Sequence, residues 1–249
     1  MAVKQTKKHD LDELLERFWV QEEIDSTPKC WTREEIECEN QFIDTYRRDP
    51  NDGRFIIKLP FKNNNVNLGD SSKNAMRRYI SLERKFRQDS DYKEIYSKAI
   101  NELINNGYLE EISPHEIEGE DVFYLPHAGV FKRDPNNPKI RIVYDGSAKS
   151  SNGLSLNENL MTGPNLQNDL FAILLRFRTH AVVLSCDMEK MFLQIKIDTK
   201  DTKFQLIFWR IDESEPVKVF RLTRLVFGLT NSPYTAMRCV MQLAADMEN

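Results

Sequence analysis

The chain has 249 residues, 40% of them apolar and 30% charged, with only 9 Gly and 10 Pro. That composition excludes collagen-like, low-complexity and globally disordered classes and is long enough for a substantial core. The 35 basic and 39 acidic residues leave a formal net charge of −4, which taken whole argues against a nucleic-acid partner. Apolar runs are short, as at Ala181–Cys186, whereas a membrane-spanning helix needs about 20 apolar residues. The opening Met-Ala-Val-Lys-Gln-Thr-Lys-Lys lacks the apolar core of a secretory signal. Cys30, Cys38, Cys186 and Cys239 form no Cys-x-x-Cys pair and read as reduced thiols of an intracellular protein, cytoplasmic or nuclear.

The elements follow in chain order. Leu11, Leu14, Leu15, Phe18 and Trp19 have helical spacing, with Asp10 as N-cap. Thr32-Arg-Glu-Glu35 is a capping box opening a second helix, with Ile36, Ile43 and Tyr46 on one side. Arg54–Leu59 is β-rich, and Asn63–Asn67 is a loop. Asp70 caps a helix carrying Ala75, Met76, Tyr79, Leu82 and Phe86. Asp91-Tyr-Lys-Glu94 opens another, carrying Ile95, Ala99, Ile100, Leu103 and Ile104 and ending at Asn106-Gly107. The acidic run Glu110–Asp121 reads as a solvated connector. Val122–Phe131 and Lys139–Asp145 form a hairpin around Arg133–Pro138. Asn165–Phe177 is a helix with Leu166, Leu170, Ile173, Leu174 and Phe177 inward. Ala181–Ser185 is so apolar that it predicts a central strand buried on both faces. A helical turn over Met188–Leu193, strands at Gln194–Ile197, Lys203–Trp209 and Val217–Leu222, and a helix over Pro233–Met247 complete an α+β pattern.

The charge is unevenly spread. Residues 70–100 and 122–180 each carry net +3, while residues 101–121 hold seven acidic side chains and no basic one. Two basic blocks therefore flank an acidic stretch, and the mean conceals them.

Three places could carry chemistry. Asp187 stands where the apolar Val182–Cys186 run emerges, a position from which a carboxylate either holds a hard cation such as Mg2+ or caps the following turn. Lys132, Arg133, Lys139 and Arg141 surround the hairpin turn. They either grip phosphates or guard a sheet edge against pairing. In Phe227-Gly-Leu-Thr-Asn-Ser-Pro233, Gly228 permits unusual backbone angles or close approach, and Pro233 suits a first helical turn. The segment is either an anion-facing loop or a plain loop-to-helix junction. The four histidines show no metal spacing, and no Gly-rich phosphate loop is present.

Taken in order, these segments resemble a reverse transcriptase, and more narrowly the Pol polyprotein of Pao/BEL-type LTR retrotransposons. The likeness is carried by Leu11–Glu23, Gly53–Pro60, Leu68–Ser71, Ser81–Arg84, Tyr124–His127, Arg141–Lys149, Asn152–Asn157, Gly163–Leu170 and Leu175–Arg178, and most specifically by Asp187-Met-Glu-Lys-Met-Phe-Leu-Gln-Ile195.

The resemblance implies a mainly helical leader over residues 1–107. Over residues 108–249 it implies the fingers and the first part of the palm of a right-hand polymerase. It makes Asp187 the first catalytic aspartate, serving two Mg2+ ions (or Mn2+) with the Met188 backbone beside the triphosphate. Phe192 becomes the aromatic that excludes a ribose 2′-OH. Arg141, with Lys132 or Arg133, meets the dNTP triphosphate, and Phe227 and Gly228 lie near the base or template. The implied partners are an RNA or DNA template-primer and dNTPs, with no membrane. The rest of the palm, thumb, RNase H and integrase are expected as the remainder of the polyprotein.

One departure is large. The family needs a Tyr-x-Asp-Asp hairpin after the last helix, and this sequence contains no Asp-Asp pair. One aspartate does not complete the octahedral oxygen shells of two Mg2+ ions. The 249-residue chain is therefore expected not to polymerise alone, and its sheet is expected to lack strands and to expose apolar surface. The other reading is a degraded or host-retained fragment that binds nucleic acid without catalysis.

Overall fold

The computed structural model describes residues 30–63, 68–131 and 140–247. The sequence-predicted helix at residues 11–19 and most of the Asn63–Asn67 loop lie outside them. The described residues from Arg33 onward gather into one unit.

α1 (Arg33–Thr45) buries Cys38 and Phe42, whereas Ile36 and Ile43 are exposed. The expected face is thus corrected. Phe42 stacks on Tyr46 at 5.2 Å and meets Tyr234 edge-on at 6.5 Å, and this aromatic contact sets the helix phase. α2 (Ser72–Gln88) buries Ala75, Tyr79, Leu82 and Phe86, as its spacing predicts. Its N-cap is Ser71, not Asp70, although the Asp70 carboxylate accepts the Ser72 N–H at 2.8 Å. α3 (Ser90–Asn105) is capped by Asp89, not Asp91, through the Tyr92 N–H at 2.8 Å. It ends at Gly107, whose φ of +66° suits a residue without Cβ.

Among the described residues three small sheets follow. β1 (Arg47–Arg48) and β2 (Phe55–Ile57) pair antiparallel, and β2 pairs in parallel with β6 (Lys196–Ile197). β3 (Leu109–Ile112) pairs antiparallel with β8 (Lys218–Leu222), which pairs antiparallel with β7 (Leu206–Trp209). β4 (His127–Phe131) and β5 (Ile140–Tyr144) form the predicted hairpin, with Val130 opposite Arg141. The acidic run is no mere connector. Glu110 and Glu116 pair with Arg221, Glu111 with Lys218, and Glu120 with Lys203. Its acidity complements the basic residues of the neighbouring strand and turn.

The short α4 (Leu156–Asn159) carries a capping box in which Ser155 and Glu158 satisfy each other's backbone N–H. α5 (Leu170–Thr179) buries no residue: Leu170, Phe171, Leu174, Leu175 and Phe177 are all exposed. The Ala181–Ser185 strand is also corrected. Residues 183–188 have no regular structure, and Val182 and Leu184 are 78% and 90% exposed. A strand is held by a hydrogen-bonded neighbour, and none pairs with this segment among the described residues. α6 (Ser232–Met247) closes the unit and buries Tyr234, Ala236 and Cys239.

The core joins Tyr96 and Ile100 of α3 to Phe123, Leu125, Trp209 and Leu222. Within it the Tyr96 hydroxyl donates to His127 Nδ1, and His127 Nε2 donates to the Phe208 carbonyl at 2.9 Å. The result is a mixed α+β protein. Among the described residues no helix is long and apolar enough to cross a membrane.

Candidate functional site

Arg141, Phe192 and Phe227 come from three separate segments and meet in space. The Phe192 and Phe227 rings lie 4.4 Å apart between centroids, at 32°. The Arg141 guanidinium stands 4.8 Å from the Phe227 centroid. β5 supplies Arg141 on its exposed side because Ile142 and Tyr144, one and three residues on, turn toward the core. The short 3-10 turn Met191–Gln194 supplies Phe192, whose ring is half-buried against the core. A guanidinium stacked on a ring is oriented while its N–H groups stay free for an anion. Arg141 has no carboxylate partner among the described residues.

The loop after β8 reaches this position because Gly228 allows it. Its φ is +111°, and a Cβ there would stand 1.7 Å from the Tyr144 carbonyl oxygen. The Tyr144 N–H donates to the Phe227 carbonyl at 3.1 Å. Asn157 locks the other side: its Nδ2 donates to the Gly228 carbonyl at 3.0 Å and its Oδ1 accepts the Thr230 N–H at 2.9 Å. The Ser232 hydroxyl donates to the Val226 carbonyl at 2.7 Å. The sequence reading gave Asn157 no role. Its place in the Asn152–Asn157 motif was the only signal, since an amide bridging two loops has no periodicity. Behind the loop, Asp145 pairs with Arg78 of α2, and burial pushes the Tyr144 phenol pKa upward.

Asp187 and Met188 are exposed, and the Asp187 carboxylate has no hydrogen-bond or ion-pair partner among the described residues. The turn that follows is anchored. Lys190 adopts a left-handed backbone, φ +51°, and its ammonium pairs with Glu102 of α3, which raises its pKa. Gln194 Nε2 donates to the Glu189 carbonyl at 3.1 Å. Lys132 and Arg133 lie outside the described residues.

The described residues do not by themselves make up a two-ion metal site. Asp187 is a single carboxylate, and among the described residues no three His, Cys, Asp or Glu side chains gather where a metal could bind. The arrangement can instead place an anion beside Arg141 and a flat or sugar-like group against Phe192 and Phe227. No family model matches the chain, and no curated protein matches it.

Proposed function

We propose that the chain is the leader, fingers and first part of the palm of a Pao/BEL-type RNA-directed DNA polymerase. In the intact enzyme such a polymerase adds dNMP to a primer 3′ end on an RNA or DNA template. The observation that carries this reading is the meeting of Arg141, Phe227 and Phe192 above the Gly228 loop. Arg141 holds the triphosphate of the incoming nucleotide, and Lys132 and Arg133 of the hairpin turn assist it. Phe192 lies against the sugar, where its bulk disfavours a 2′-OH. The Gly228 backbone, free of any side chain, lies beside the base or template.

Mg2+, or Mn2+, supplies charge neutralisation at the triphosphate when bound. Asp187, with the adjoining Met188 backbone, is this chain's contribution to holding it, and further carboxylates complete the site. The exposed apolar surface of α5 and residues 181–188 supports the same reading, because a palm sheet lacking strands leaves such a surface uncovered.

The test extends the reading frame past Asn249 to a Tyr-x-Asp-Asp hairpin and measures primer extension on an RNA template with Mg2+. Asp187→Asn abolishes extension by at least 100-fold with folding intact. Full extension by that variant overturns the reading. The second reading is a fragment that binds nucleic acid without catalysis. Stop codons or a frameshift directly after Asn249 would select it.

A further inference from the structure

α2 carries a face that neither the core nor the Arg141 site uses. Lys73, Arg77 and Arg84 share one narrow stripe, because steps of four and seven residues return to the same side of a helix. All three are exposed, and none makes an ion pair among the described residues. Their neighbours on the same helix differ: Arg78 pairs with Asp145 and Arg87 with Glu213. Among the described residues the Arg77 guanidinium donates to the Asn74 side-chain oxygen, at 3.2 Å. With Met76, Ile80 and Phe208 these cations line a groove of about 520 Å³. Its floor is apolar and fixed, since Phe208 stacks on Tyr124 at 4.6 Å and 8°. Ile80 is 41% exposed there, in the middle of the cation stripe.

We propose that this groove binds a single strand of nucleic acid, with phosphates on Lys73, Arg77 and Arg84 and bases against Met76, Ile80 and Phe208. The cations extend over about 16 Å of helix axis, which suits a run of repeated negative charges and not one small anion. Apolar side chains between cations suit flat bases, which every nucleotide offers regardless of sequence. An acidic peptide would satisfy the charges but leave the apolar floor unused. The proposal does not rest on Asp187 or on the polymerase reading.

The experiment is fluorescence anisotropy of a labelled oligothymidylate of about 20 nucleotides with the 249-residue chain, between about 50 and 200 mM salt and without divalent metal, the range over which phosphate contacts are read. The triple variant Lys73→Ala, Arg77→Ala, Arg84→Ala is expected to lose at least tenfold in affinity. The slope of log K against log salt is expected to fall in magnitude by about 2. Lys58, Lys98 and Lys200 are exposed on other elements. Changing these three to Ala removes the same charge and is expected to leave affinity within about twofold, and Ile80→Ala is expected to weaken binding several-fold with the slope unchanged. Thermal melts confirm that each variant folds. Absence of binding by the unmodified chain overturns the proposal. So do equal losses in the two triple variants, or displacement of the oligonucleotide by poly-glutamate as readily as by unlabelled DNA. Because no metal is present, none of these outcomes bears on whether Asp187 serves in catalysis.

Discussion

Gly228 and His127 show how single residues constrain this molecule in opposite ways. Gly228 is required by geometry: its φ is +111° and the Tyr144 carbonyl occupies the space of a side chain. Gly228→Ala is expected to lower stability by about 2–4 kcal/mol, because backbone on both sides has to shift. Urea unfolding measures it, and an unchanged midpoint would show that the loop can sit elsewhere. His127 is constrained by burial, which pushes its pKa down from 6.5 to about 4. The unfolded chain binds this proton more readily than the folded one, so the contribution is full above pH 6.5 and is lost as pH falls toward about 4. Between pH 7.5 and pH 5 the expected loss is about 2 kcal/mol. Replacing the imidazole by His127→Asn should flatten this pH dependence in urea melts. A slope that persists unchanged would assign it to other groups.

At the scale of elements, patterns governed by local chemistry were readable, and patterns governed by partners were not. The β4–β5 hairpin, α2 and α6 formed close to where turn residues and helical spacing placed them. α1 formed too, yet its buried face is set by Phe42 against Tyr46 and Tyr234, and Tyr234 is distant in sequence. The acidic run looked solvated until β8 supplied Arg221 and Lys218 as partners for it. Val182-Val-Leu184 has the composition of a buried strand, but composition reports what a segment would gain from a neighbour and not whether one is there. The same lesson holds at the candidate site. Arg141, Phe192 and Phe227 could each be named from the sequence. Their ring-to-ring contact and the Asn157 clamp depend on chain crossings that no local pattern records.

The exposed apolar surface of α5 and residues 181–188 has a measurable consequence. It should bind a hydrophobic dye and promote self-association of the isolated chain. Leu184 is 90% exposed, so Leu184→Lys is expected to reduce both while moving the unfolding midpoint little. Dye fluorescence and size-exclusion chromatography across a concentration series check this. A large loss of stability would mean that Leu184 packs against something in solution.

For the whole molecule, total charge and local charge lead to different partners. The net charge of −4 belongs to the chain, but the acidic excess of residues 101–121 is partly spent on internal pairs. Lys73, Arg77 and Arg84 of α2, and Arg141, face outward without carboxylate partners among the described residues. The proposed nucleotide site and the α2 groove both draw on those free cations. The central claim proposed is that Phe192, in tilted ring contact with Phe227 beside Arg141, lies against the sugar of an incoming nucleotide. Its most direct measurement is the ratio of dNTP to rNTP incorporation by the extended enzyme, for Phe192→Ala against the unmodified protein. The account predicts that the ratio falls at least tenfold as ribonucleotides gain access. An unchanged ratio at undiminished dNTP incorporation would contradict it.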